Sequence, residues 1–134
     1  SKLNVPIVSI ITGEGCSGGA LGLAVADRVM MLEHAYYTVI SPEGCASILW
    51  RDAARYADAA EALKITSKDL LELGIIDEEI SEPLGGAHSD YNVVAENMKS
   101  SIINALNELA KKSPEKLREE RYNKFRQMGR FIED

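Results

Sequence analysis

The chain has 134 residues, 46% of them hydrophobic, which is enough for one buried core and too little to make two ordinary domains the expectation. Its 15 basic and 21 acidic residues give a net charge of −6, which excludes a nucleic-acid backbone as the main partner, because phosphate binding needs concentrated Lys and Arg. No apolar run reaches the roughly 18 residues of a membrane span, no signal-peptide pattern precedes the first strand, and Cys16 and Cys45 have no CxxC spacing; the expectation is a cytoplasmic chain with two free, buried thiols and neither zinc site nor disulfide framework.

Val5 to Thr12 is a β-branched apolar run ended by glycine, the signature of a strand buried on both faces of a parallel sheet. A glycine turn and a helix follow, which is α/β grammar. Val29 to Leu32 and Tyr36 to Ile40 read as two further strands joined by a turn at Glu33, His34 and Ala35, with Pro42 and Gly44 closing the second. From about Cys45 to Leu63 apolar residues recur at three- and four-residue steps, the helical period. Thr66 or Ser67 can cap a short helix, Gly74 sits where a C-cap glycine belongs, and Ile75 to Ile80 reads as a brief strand. Turn chemistry from Pro83 to Asp90 precedes a long amphipathic helix, Tyr91 to Lys112, whose stripe is Val94, Met98, Ile102, Ala105, Leu106 and Leu109. Ser113-Pro114 restarts a last, highly charged helix that runs to Arg130. No internal repeat is evident in the sequence.

The chemistry concentrates at Gly13, Gly15, Gly18, Gly19 and Gly22. A glycine within a helix costs about 1 kcal/mol relative to alanine, so a helix opening on Cys16-Ser17-Gly18-Gly19 needs its backbone bare. Gly18, Gly22 and Ala26, spaced by four, could press one helix face against a neighbouring backbone. Alternatively the first amides of that helix, at the positive end of its dipole, form a donor pocket for a phosphate or a transient oxyanion. GxxxxGK[ST] is absent, and although Gly13, Gly15 and Gly18 have the GxGxxG spacing, no acidic ribose partner falls in a second strand about 20 residues on, which weakens nucleotide binding. Ser17 could be a nucleophile beside its own oxyanion amides, with His34, Lys64 or His88 as base, or simply the helix N-cap.

Three blocks, Gly13-Glu14-Gly15-Cys16-Ser17-Gly18-Gly19-Ala20-Leu21, Val39 to Trp50 (VISPEGCASILW) and Glu82 to His88 (EPLGGAH), closely resemble the carboxyltransferase α subunits of bacterial acetyl-CoA carboxylase. The likeness extends over essentially the whole chain, to Arg121-Tyr122, and corresponds to the C-terminal part of the family chain. It implies a crotonase-like ββα superhelix, present in part over residues 1–90, with a helical C-terminal extension over 91–134. It also implies transfer of a carboxyl group from carboxybiotin, borne on a biotin carboxyl carrier protein, to acetyl-CoA, giving malonyl-CoA for fatty-acid synthesis. The partner β subunit would bring the acetyl-CoA side and a zinc ribbon in an α2β2 assembly, with no metal in this chain. By the same resemblance Gly18 and Gly19 are the backbone oxyanion donors, and biotin nitrogen takes the methyl proton, so that no side-chain base is required. Gly15, Cys16, Ser17, Ser41, Pro42, Glu43 and Gly44 are the expected substrate-binding positions. A Ser-nucleophile hydrolase or peptidase of the same superfold, and a non-catalytic assembly module, are the alternatives. Family chains are longer at the N-terminus, so the isolated piece is expected to be inactive and to self-associate.

Overall fold

The computed structural model describes residues 2–129. The chain runs strand–strand–helix twice and then begins a third unit. Strand β1 (Val8–Ile11), strand β2 (Glu14–Cys16) and helix α1 (Ser17–Leu23) form the first unit. Strand β3 (Arg28–Leu32), strand β4 (Tyr36–Thr38) and helices α2 (Pro42–Trp50), α3 (Tyr56–Leu63) and α4 (Ser67–Glu72) form the second. Strand β5 (Glu78–Ile80) opens the third, and helices α5 (Tyr91–Leu109) and α6 (Pro114–Arg126) follow. Corresponding strands of successive units pair side by side: β1-β3-β5 is one parallel sheet and β2-β4 another. Parallel pairing of this kind requires the crossover helices that the sequence supplies.

The core lies on β3, where Val29, Met30, Met31 and Leu32 are each at most 2% exposed, as a central parallel strand under helices should be. Ala24, Ala26, Leu70, Ile76 and Ile80 surround it. From α5, Val94 and Ala105 join this cluster, with Met98 half-buried against it; Leu106 of the expected stripe is exposed, and Ser101 is buried in its place.

Two aspartates repeat one device. Asp27, which ends the first return, accepts the Ile7 N–H at 2.7 Å, while its own N–H bonds the Ile7 carbonyl at 2.9 Å. Asp77, which ends the second, accepts the Val29 N–H at 2.7 Å, and its N–H bonds the Val29 carbonyl at 2.7 Å. Both carboxylates are held by cations one turn apart on α6. Arg121 takes Asp27 through Nε and Nη2, each at 2.8 Å, and Lys124 takes Asp77. Arg121 also donates to the carbonyls of Leu3 and Val5, at 3.1 Å each. The sequence, which showed no repeat, hides a structural one: an apolar pair and an aspartate, Val25-Ala26-Asp27 and Ile75-Ile76-Asp77, at the entrance to each new strand.

Several expectations need correction. The helical pattern from Cys45 to Leu63 is two helices, because Arg51 caps α2 in the left-handed conformation (φ 56°) and a 3-10 turn at Ala53–Arg55 precedes α3. Pro42 and Gly44 do not simply close a strand but lie in the first turn of α2, which Ser41 caps by accepting the Gly44 N–H. Tyr56 is exposed and half-buried Trp50 carries the Arg55 guanidinium 4.2 Å from its ring centroid. Cys16 and Cys45 are free, as expected, but half-buried. Among the described residues Thr66 caps α4, and Gly74 has the positive φ of a C-cap glycine. The charged last helix ends at Arg126; Arg130 lies outside the described residues. No described helix is long and apolar enough to cross a membrane.

Removing the Arg121 side chain strands a buried carboxylate and two strand-edge carbonyls. Arg121→Leu is expected to destabilise the fold by about 3–5 kcal/mol in urea denaturation.

Candidate functional site

Helix α1 begins where β2 ends, with no loop between them. Cys16 is the residue preceding the helix and makes no side-chain cap, so the reading of Ser17 as N-cap is corrected: Ser17 is the first helical residue, exposed and with φ 65°. A left-handed serine at a strand-to-helix turn is a strained conformation that only the neighbouring structure can hold. Gly18 and Gly19 follow in the first turn, where N–H groups have no intrahelical carbonyl four residues back. Among the described residues they donate to nothing outside the helix.

The glycines divide into two kinds. A Cβ on Gly18, Gly19 or Gly22 would meet nothing within 4 Å, so the expectation that they press against a neighbouring backbone fails among the described residues. A Cβ on Gly15 would lie 3.1 Å from Ile11 and 3.2 Å from Tyr37, and Gly15 is buried. Gly15 therefore packs β2 onto the core, while Gly18 and Gly19 have open space where a side chain would stand.

The second expected block arrives from β4. Because β2 and β4 are parallel and in register, with Glu14 opposite Tyr36 and Cys16 opposite Thr38, the helices that follow them both start at the carboxyl end of this ribbon. Ser41 caps α2, Gly44 donates to it at 3.1 Å, and exposed Glu43 sits in the first turn, where the dipole favours a carboxylate. The Tyr36 hydroxyl records the convergence: burial first, and then the charges of Glu14, Cys16 and Glu43, push its pKa up. Ser17 lacks a base. His34 is engaged by Glu82 at 3.2 Å, Lys64 stands 3.9 Å from Asp69, and His88 lines a different cleft; none bonds the Ser17 hydroxyl.

The third block folds around one carboxylate. Glu82, with a side chain 5% exposed, accepts the N–H groups of His34 at 3.0 Å and Ala87 at 2.6 Å and faces the His34 imidazole. Burial would raise its pKa, but the two amides and the imidazole outweigh it and hold the carboxyl below the usual range. Gly85 and Gly86 turn the loop with φ of 96° and 94°, a conformation that suits only glycine. Sequence reasoning placed Glu82 in the third block but gave it no role of its own; a carboxylate just before a Gly-Gly turn was the available signal.

Gly15→Ala is expected to crowd Ile11 and Tyr37 and cost about 1–3 kcal/mol, whereas Gly18→Ala should leave stability unchanged or raise it by up to about 1 kcal/mol, read from thermal melts. A carboxyl with a lowered folded pKa contributes stability above its unfolded pKa and loses it as pH falls through the folded value. Glu82→Gln is therefore expected to lower stability at pH 7 and to flatten its decline on acidification below about pH 5, followed by denaturation at stepped pH.

A family model described as acetyl co-enzyme A carboxylase carboxyltransferase-like matches residues 1–129. The acetyl-coenzyme A carboxylase carboxyl transferase subunit alpha of Synechococcus elongatus is 57% identical over 132 residues, covering 98% of this chain and 40% of that protein. The corresponding subunit of Geobacter metallireducens is 58% identical over 133 residues, 99% of this chain and 42% of the relative, and that of Thermus thermophilus is 56% identical, with 99% and 43% covered. The chain thus spans about 40% of the length of the curated relatives it matches. A solved structure, transcarboxylase 12S with methylmalonyl-coenzyme A and methylmalonic acid bound, superposes with a TM-score of 0.64 at 19% identity, over 81% of this chain and 21% of the other. That likeness carries the fold, and the ββα order found here is the crotonase-type order expected from the sequence. Matched along nearly its whole length by the family model, the chain belongs to the acetyl-CoA carboxylase carboxyltransferase family.

Proposed function

We propose that this chain forms the carboxybiotin side of a carboxyltransferase that moves a carboxyl group from carboxybiotin to acetyl-CoA, yielding malonyl-CoA. The observation that carries the proposal is the pair of main-chain amides at Gly18 and Gly19, which bond no described acceptor outside the helix and lie in the first turn of α1, where a side chain would meet nothing. Carboxybiotin, when bound, supplies the carboxyl group. The amides stabilise the negative charge that grows on the carbonyl oxygen they face, and being fixed by β2 they need no reorganisation as it grows. Ser17, Cys16 and the Ser41–Gly44 turn border the same end of the β2-β4 ribbon and line the approach. Glu43 adds a carboxylate that an oxyanion would avoid, so its place is on the rim.

The same reading gives the chain its company. Biotin is carried by a separate biotin carboxyl carrier protein, acetyl-CoA and a zinc ribbon come with the β subunit, the assembly is α2β2, and the location is cytoplasmic. Residues 1–90 act as the catalytic part and 91–134 as a helical extension. The Ser-nucleophile alternative has one observation in its favour, the left-handed backbone of Ser17, and lacks a bonded base. An assembly role without catalysis would leave the bare amides without a purpose.

The test is made in the full-length protein assembled with its β subunit. A methyl at Gly19 blocks the approach to the amides, so Gly19→Ala is expected to lower turnover of malonyl-CoA formation by roughly 10²–10³-fold with the melting temperature retained. Wild-type turnover in that variant would remove the oxyanion assignment. A serine-reactive fluorophosphonate is expected to leave Ser17 unlabelled, and a mass adduct there would restore the hydrolase.

A further inference from the structure

The three strands β1, β3 and β5 end at one place. Thr12 and Gly13 follow β1, His34 and Ala35 follow β3, and the Glu82–His88 loop follows β5; together they line a cleft of about 400 Å³. Ligands of open parallel sheets bind outside the carboxyl ends of the strands, which is this position. Both histidines of the chain lie in it. His34 is oriented by buried Glu82 through Nδ1, which leaves Nε2 of a largely exposed ring for a ligand. His88 is exposed and packs beside Gly86, where a Cβ would stand 3.4 Å from its Nδ1. The loop that carries it is tied back by the Ala87 N–H bond to Glu82 and turned by the two left-handed glycines. Thr12 adds an exposed hydroxyl.

This cleft adjoins a second one beside β1 and α1. Thr12 and Gly13 also line a neighbouring cleft of about 340 Å³ formed with Glu14, Gly15, Cys16 and Ala20, so one ligand can reach both. The geometry points to an oxyanion subsite here, in which the imidazoles of His34 and His88 bind a carboxylate or phosphate group of the ligand that occupies the α1 turn. An imidazolium donates from both ring nitrogens: Glu82 takes the Nδ1 hydrogen of His34, and the ligand oxygen takes the other. The carboxyltransferase reading enters only in naming that ligand's class, an anionic acyl or carboxylated substrate; the subsite itself stands on the cleft.

The experiment titrates the full-length protein assembled with its β subunit, labelled with carbon-13 at histidine Cε1, with sodium acetate and, separately, inorganic phosphate, at constant ionic strength made up with chloride, and follows the Cε1–H signals of His34 and His88, assigned from the His34→Gln and His88→Gln variants, by NMR. Saturable movement of both signals is expected with at least one of the two, and which one identifies the group as carboxylate or phosphate. His88→Gln and His34→Gln are each expected to weaken that binding about tenfold while the amide spectrum away from the cleft stays unchanged. Movements that never saturate and match chloride, or a His88→Gln chain that binds like the wild type, would overturn the subsite. Turnover of the assembled full-length enzyme is measured beside it. Intact turnover without anion binding ends this inference and leaves the carboxyl-transfer reading, and saturable binding without turnover does the reverse.

Discussion

The buried pair of Asp27 and Arg121 is the interaction from which the rest of the molecule takes its position. One carboxylate collects the Ile7 N–H and two guanidinium hydrogens, and the same guanidinium collects the Leu3 and Val5 carbonyls. With side chains 2% and 4% exposed, neither charge has water as an alternative partner. A buried pair is weak evidence of net stability, since its desolvation offsets much of its attraction. What it does fix is register: the start of β1, the exit of α1 and the face of α6 meet at one point. Four residues on from Ile7 the strand ends, and the glycine turn begins.

Lys124 and Asp77 repeat the arrangement for β3, so α6 holds the starts of two adjacent strands. Fixing strand starts also fixes strand ends, because the strands are short. The ends of β1, β3 and β5 bear the Glu82 loop, and the ends of β2 and β4 bear α1 and α2. A helix that looks peripheral, with charges on most faces, thereby sets the geometry of both clefts from the opposite edge of the sheet.

Much of this was legible in the sequence. A Gly-ended β-branched run marked β1, a short apolar run before the Glu33-His34-Ala35 turn marked β3, Ser113-Pro114 and Thr66 marked helix starts, and the three family blocks fall on turns that follow strands. Composition and periodicity report local preference, and local preference placed the elements. Other features depended on tertiary structure. A buried Arg121 cannot be told from the exposed Arg118 on the same helix by pattern alone, because both occupy a charged segment. The break at Arg51 hid behind a continuous apolar period, since a left-handed non-glycine residue leaves no mark in the sequence. Gly15 and Gly18 look alike in the sequence, yet one is walled by Ile11 and Tyr37 and the other faces nothing.

That last contrast bears on how the chain can change over time. Groups supplied by the main chain are present whatever residue occupies Gly18 or Gly19, so ordinary substitutions can obstruct them but cannot erase them. Proline alone, having no hydrogen on its nitrogen, deletes such a donor. Variation that escapes an inhibitor seated at this turn must then come from bulk, from the surrounding side chains or from a displaced strand, rather than from loss of the group the inhibitor binds.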